Sequence, residues 1–353
     1  MTPAPAPGRA AFAIPGDLTT LTGGYLYERR LLEGLRDLGR DVQHVQLGAS
    51  YPEPTPADLV DTVAQLTALD DDRVLILDGF LVGALPTESL ALIDNPLVAM
   101  VHHPLALEEG LDDDRRQYLF HTERANLALV QHVLVPSPHT ATILTERYEV
   151  APDRITVARP GTDAPLGPSA PTEPPLLLSV GIQHPRKGHD VLLAALARLR
   201  HLDWRAVIVG SSYDAPHAAE LARLHSELDL GDRVRFAGLV DSAELSTLYR
   251  AATVFTLATR YEGYGIVFDE ALAHGLPIVS CAVGAVPDTV PGSAGLLVPP
   301  DDPAALAAAL GEVLTDPERR ARLAAAAAAA GAALPRWSHT AALVATVLDD
   351  LGR

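Results

Sequence analysis

The chain has 353 residues, 48% of them apolar, enough for two ordinary hydrophobic cores at roughly 150 residues a domain. Asp and Glu number 45 against 27 Lys and Arg, a net charge of −18, which argues against nucleic acid or an anionic membrane as the main partner, since both ask for a basic surface. Its one cysteine, Cys281, excludes a disulfide scaffold and a multi-cysteine metal site. Any anionic ligand must then be met by a local basic pocket. The opening MTPAPAPGRAAFAIPGD carries proline throughout and does not read as a leader, and the longest apolar stretch, Leu323 to Leu334, falls short of the ~20 residues of a membrane span. The expectation is a soluble, cytoplasmic protein.

Apolar runs of strand length recur along the chain, each followed by a helical pattern. In the first half they are Ala11–Ile14, Val42–Leu47, Val74–Leu77, Val98–Val101 and Val133–Val135. The stretch 160–175, PGTDAPLGPSAPTEPP, holds six prolines and two glycines and has linker composition. Beyond it come Leu176–Val180, Ala206–Val209, Val234–Phe236, Val254–Leu257, Pro277–Ser280 and Gly295–Val298. Amphipathic segments such as Tyr27–Leu38, Val191–Leu199, Ala218–Leu228 and Ala304–Leu314 lie between the runs. Continuous apolar strands alternating with helices predict parallel sheets covered on both faces. Because the alternation occurs twice, the predicted fold is α/β, two Rossmann-like doubly wound lobes facing a central cleft. The expected division is 1–160, a linker at 161–175, 176–335, and a closing helix in 336–353 that packs back on the first lobe. The Ala-rich tract 321–333 reads as helix.

Chemistry concentrates in a few stretches. In TRYEGYGIVFDEALAHGLPIVS (259–280), Glu262 and Glu270 are eight positions apart with Gly263 and Gly265 between them. Glycines opening a helix let the backbone approach a ligand closely, and two carboxylates, one in the loop and one on the helix, suit hydroxyls at two ends of an extended polar ligand. The simpler reading is acidic residues complementing a helix dipole. In GIQHPRKGHD (181–190), Arg186 and Lys187 follow the strand-ending Gly181. Lys187 is the single lysine among 27 basic residues, in a chain that otherwise uses Arg, and its compact ammonium differs from the planar guanidinium fork. Surface solvation is the bland alternative. His102 and His103 stand directly after a strand, with Glu108 and Glu109 a few residues on.

These stretches resemble the Glu-x₇-Glu retaining nucleotide-sugar glycosyltransferases of the GT-B fold, glycosyltransferase family 4. The resemblance runs through GGYLYERRLLEGL (23–35), VLVPSPHTATILTERYEVAPDRITVARPGTD (133–163), LLSVGIQHPRKGHDVLLAAL (177–196), VRFAGLVDSAELSTLYRAATVFTLAT (234–259), the Glu262–Glu270 segment and SAGLLVPPDDPAALAAAL (293–310). It implies transfer of a sugar from a nucleoside diphosphate donor to a small-molecule or glycan acceptor with retention, the leaving phosphate taking the acceptor proton on the same face. By this resemblance His102 contacts the donor sugar, Lys187 and Arg186 neutralise the diphosphate, and Gly181, Gly23, Gly24 and Tyr25 border it. Glu262 with Gly263, Tyr264, Gly265 and Ile266 holds the sugar, Glu270 the ribose, and Gly238, Leu239 and Val240 the base. His103 and Glu108 fall on the acceptor side.

One departure is clear: many family members have Arg directly after the strand-ending glycine, where this chain has Ile182, so one phosphate contact is either absent or supplied by Arg186. The Asp runs at 70–72 and 112–114 read as caps and turns rather than metal ligands, so no metal and no cofactor beyond the donor is expected. An epimerase or hydrolase sharing the donor site, or a non-catalytic sugar-nucleotide-binding module, remain the alternatives.

Overall fold

The computed structural model describes residues 8–108 and 110–352. In chain order it contains β1 (Arg9–Pro15), α1 (Gly23–Asp37), β2 (Val42–Leu47), α2 (Pro56–Thr67), β3 (Arg73–Asp78), α3 (Gly79–Ala84), α4 (Thr87–Leu90), β4 (Leu97–Met100), α5 (Asp113–Leu129), β5 (His132–Val135), α6 (Pro138–Tyr148) and β6 (Ile155–Val157). There follow β7 (Leu176–Val180), α7 (His189–Arg198), β8 (Arg205–Val209), α8 (Ala215–Glu227), β9 (Val234–Gly238), α9 (Ser242–Ala251), β10 (Val254–Leu257), α10 (Ile266–Ala273), β11 (Ile278–Cys281), α11 (Val286–Thr289), β12 (Gly295–Val298), α12 (Pro303–Thr315), α13 (Pro317–Ala332) and α14 (Trp337–Leu351). Contacts group the residues up to Gly161 with those from Pro335 onward, and Thr162–Leu334 separately.

The first unit holds a parallel six-stranded sheet in the order β2-β1-β3-β4-β5-β6. Its central strands are apolar without alternation because helices cover both faces: every residue of β3 and β4 is buried, whereas the edge strand β2, VQHVQL, mixes polar and apolar positions. The sequence reading did not include β6, whose three residues Ile-Thr-Val offer too short a run to register. Along α1, Tyr27, Leu31, Leu32 and Leu35 form the buried stripe. At the edge of this stripe Gly34 meets α14, where an added methyl would come within 2.7 Å of the Ala341 Cβ. The helix begins at Gly23, four residues before the predicted Tyr27. The first-turn amides of a helix have no intrahelical acceptor in any case, so two glycines there cost the helix little.

The second unit repeats the plan in the order β12-β11-β10-β7-β8-β9. One face buries Leu192, Leu196, Trp204, Leu306 and Leu310, and the other buries Tyr249, Phe255, Phe268, Leu272 and Ala327. The alanine tract forms α13, where small residues allow close approach to α10: a Cβ on Gly331 would lie 2.2 Å from the Leu272 carbonyl oxygen. The proline-rich stretch lies along α9, with the Ala170 amide donating to the Arg250 carbonyl at 2.7 Å and the Arg250 guanidinium to the Leu166 carbonyl at 2.9 Å. No helix among the described residues is long and apolar enough to cross a membrane. In each sheet the order reverses once, between β1 and β3 and between β7 and β10, and ligands of open α/β sheets bind at the carboxyl ends of strands beside such reversals.

Candidate functional site

Lys187 and Glu262 meet at the reversal point of the second sheet. Beyond β7 the chain passes Gly181 into a 3₁₀ turn, Pro185–Lys187, and then Gly188 in the left-handed region (φ 63°) opens α7. Beyond β10 it runs through Thr259 to Glu262, and Gly265 (φ 88°) opens α10. Lys187 Nζ lies 2.6 Å from Glu262 Oε1, and Arg186 Nη1 lies 3.6 Å from Oε2. Thr259 Oγ1 is 3.0 Å from the same Oε1. Burial pushes the Glu262 carboxyl up, but Lys187 and Arg186 outweigh it and hold the group below the usual glutamate value.

The two loops are joined through their backbones. The Arg260 amide donates to the Arg186 carbonyl at 2.8 Å, and Thr259 Oγ1 donates to the same oxygen at 3.0 Å. A Cβ on Gly188 would fall 1.9 Å from the Ala258 carbonyl oxygen, and one on Gly284 would fall 2.3 Å from that of Glu262. Arg260 adds an ion pair to Asp190, 2.7 Å, and another to Asp301, 2.8 Å.

Glu270 lies on α10 and Glu262 in the loop before it, as their spacing predicts. Tyr249 donates to Glu270 Oε2 at 2.7 Å, while burial pushes the Glu270 carboxyl up to about 7 against that bond. The Tyr264 side chain is buried, its hydroxyl bonded to Asp269 and its carbonyl accepting from Thr289. Gly238 ends β9 at φ 66°, with Leu239 exposed and Val240 half-buried after it. Gly263 is buried, and Ile266 is the first helical residue of α10. Ile182 follows Gly181, and Arg186 Nη1 donates to the Tyr261 carbonyl at 3.0 Å and lies 3.6 Å from Glu262 Oε2.

In the first unit, Gly23 and Gly24 form the first turn of α1, and Tyr25 donates to the Pro15 carbonyl at 2.9 Å. His102 follows β4 and packs over this turn: a Cβ on Gly24 would meet its ring at 3.6 Å, an ordinary contact, and the Tyr27 ring lies 5.5 Å away edge-on. His103 Nε2 and Glu108 Oε1 are 2.5 Å apart, so these two are brought together as a pair, whereas Glu109 lies outside the described residues. Beside His102 stand two groups that the sequence reading did not single out, Glu28 of α1 and Asp78 at the end of β3. Their polar atoms and His102's all lie within 4.8 Å of one another, and no other group of three His, Cys, Asp or Glu among the described residues does this. The Asp runs have structural partners instead: Asp70 and Asp72 pair with Arg9, and Asp112 caps α5.

Two family models match consecutive stretches, "Glycosyltransferase Family 4" over 80–165 and "Glycosyl transferases group 1" over 167–330. Among curated proteins, a D-inositol 3-phosphate glycosyltransferase of Stackebrandtia nassauensis is 36% identical over 221 residues, covering 57% of this chain and 50% of the relative. One from Catenulispora acidiphila is 31% identical over 264 residues, covering 67% and 62%. The chain thus spans about half the length of the curated relatives it matches. Among solved structures, sucrose-phosphate synthase from Thermosynechococcus elongatus superposes with a TM-score of 0.80 at 24% identity over 98% of this chain and 99% of that one. Anabaena HepE in complex with UDP and glucose gives 0.76 at 17% identity, covering 97% and 99%. The architecture is GT-B.

Proposed function

We propose that the protein is a glycosyltransferase that moves a sugar from a nucleoside diphosphate donor to an acceptor with retention of anomeric configuration. The observation that carries this reading is the cluster of half-buried Lys187 and Arg186 on buried Glu262 at the reversal point of the second sheet. It brings the single lysine and a second cation together, in a chain of charge −18, which supports a diphosphate site there. The names of the matched relatives and family models support the same reaction class.

In the proposed reaction the bond between the anomeric carbon and the diphosphate oxygen breaks, and the sugar carries positive charge as it does. Lys187 and Arg186 take up the charge that grows on the departing oxygens, a role in which preorganised groups act most strongly. Doing so draws Lys187 partly away from Glu262, whose carboxylate then accepts from sugar hydroxyls. Glu270 accepts from the ribose, with Tyr249 fixing its orientation. The acceptor hydroxyl attacks on the face the diphosphate leaves, and its proton passes to the leaving phosphate. His102 meets the transferred sugar.

A thermal-shift screen of UDP-, GDP- and ADP-sugars tests the donor, because a ligand that binds only the folded state raises its stability. Product NMR with acceptors that include inositol 3-phosphate, the substrate in the relatives' name, tests transfer. An α-linked product from an α-linked donor is expected. An inverted product would reject retention, and release of free sugar at one rate with or without acceptor would point to a hydrolase.

A further inference from the structure

Three titratable side chains from three elements converge at the carboxyl end of the first sheet, and the scheme above uses only one. Glu28 sits on the buried side of α1 at 1% exposure, and Asp78 ends β3 at 4%. Glu28 Oε1 lies 3.5 Å from His102 Nε2. Both atoms are buried, and neither has a hydrogen-bond partner. A Glu28 and an Asp78 oxygen lie within 4.8 Å of each other, and Asp78 Oδ1 also accepts from the Phe80 amide at 2.8 Å as the cap of α3. Burial pushes both carboxyls up, and two carboxyls so close and so buried cannot both ionise. The remaining titratable neighbour is Tyr27, whose hydroxyl is given to the Ala158 carbonyl at 2.5 Å. Gly79 lets the β3–α3 turn close against the end of β4, since a Cβ there would lie 3.1 Å from the Met100 carbonyl oxygen.

We infer that Glu28 and Asp78 are positioning residues for His102: Glu28 Oε1, held beside Asp78 and facing Nε2 at 3.5 Å in a buried site, keeps the ring proton on that nitrogen, which leaves Nδ1 as an acceptor for a hydroxyl of the bound sugar. Which ring nitrogen carries the proton is set by the partner of the other, and a neutral imidazole has one donor and one acceptor. A neutral acceptor suits a hydroxyl and repels a phosphate oxygen, so the pair selects which part of the donor His102 can meet. The expected effect on turnover rests on the glycosyltransferase reading; the position of the proton does not.

The test is ¹⁵N-histidine NMR of the full chain, with Glu28→Gln, Asp78→Asn and the double variant. Asn caps a helix about as well as Asp, so Asp78→Asn preserves the start of α3. Wild-type protein at neutral pH is expected to show His102 protonated at Nε2, with that proton sheltered from exchange. In the double variant the shelter is lost. Donor turnover is expected to fall about 10- to 100-fold, the size typical of removing a group that orients an imidazole ligand, with KM for the donor changed less. A wild-type His102 protonated at Nδ1 alone overturns the inference, whether or not any variant folds. So does a His102 spectrum unchanged in the folded double variant. Stoichiometric binding of Mn²⁺ or Zn²⁺ that Glu28→Gln abolishes would also overturn it, by making a cation what the carboxylates share. If no donor is turned over, the reaction assigned above fails while the NMR result stands on its own.

Discussion

Replacing Lys187 by Met keeps most of the side-chain stem against Gly181 and removes only the charge, so the variant measures what the ammonium does for Glu262. At an effective dielectric constant of ~20, an ion pair at the 2.6 Å separation of Lys187 and Glu262 has a gross attraction of about 6 kcal/mol. Stripping one partner from a buried pair costs about 3–5 kcal/mol, because the remaining charge keeps its desolvation penalty. Arg186, 3.6 Å from the other carboxylate oxygen, stays in place and moves the expected loss to about 2–3 kcal/mol at neutral pH. In the wild type Glu262 titrates below 4.5, so its stabilising contribution is present above that pH and is lost as pH falls through the lowered value. In the variant, burial pushes the same carboxyl up, and ionising it then costs stability as pH rises. The difference between the two proteins should therefore be smallest below the lowered Glu262 value and keep growing from pH 4.5 toward neutrality as the variant's carboxyl is forced to ionise. Urea unfolding curves at half-unit steps from pH 4.5 to 8 measure it. A difference independent of pH, or one below about 1 kcal/mol at pH 7.5, would show that Glu262 does not depend on Lys187.

Lys187→Arg keeps the charge but alters its shape, and should recover only part of the turnover lost in Lys187→Ala; a wild-type rate would make the single lysine a compositional accident. Glu270→Ala should weaken binding of the free nucleoside diphosphate, while Glu262→Ala should spare that affinity and lower turnover; calorimetry showing equal losses in both would reject the division of roles. Glu123 is pushed by burial to about 8, so the folded state holds a proton that the unfolded chain releases above 4.5, and stability falls as pH rises across that window. Glu123→Gln should make this slope shallower by up to about 1.4 kcal/mol per pH unit, read from chemical denaturation. Turnover should survive EDTA, and loss on chelation restored by Mg²⁺ would overturn the metal-free scheme.

The strands and helices were legible because their signal is local: apolar runs of strand length, glycine at the turns, and a repeating alternation. Glu262 and Lys187 were legible for a different reason, since each stands next to glycines that mark its loop. That they touch was not readable, because 75 positions separate them and only the order of β7 and β10 in the sheet makes them neighbours. Glu28 left a trace that went unused: it precedes Leu31, Leu32 and Leu35 by three, four and seven positions, so a charge lies on the buried stripe of α1. Asp78 likewise ends the apolar run VLILD, where it reads first as a helix cap and is one. Tyr249 carried no such trace, as an aromatic residue on a helix is by default core.

The backbone seam between the Lys187 and Glu262 loops has a consequence for engineering and for divergence. Three residues of the seam, Gly188, Thr259 and Arg260, do their work without being required to touch any ligand. Substitutions on the two sides should be strongly non-additive, because each loop supplies the other's reference surface. A graft that exchanges 181–190 alone, or 259–265 alone, would set a foreign loop against a partner shaped for another and shift the cation from its carboxylate. A graft meant to keep the Lys187–Glu262 pair in register would therefore move both loops at once.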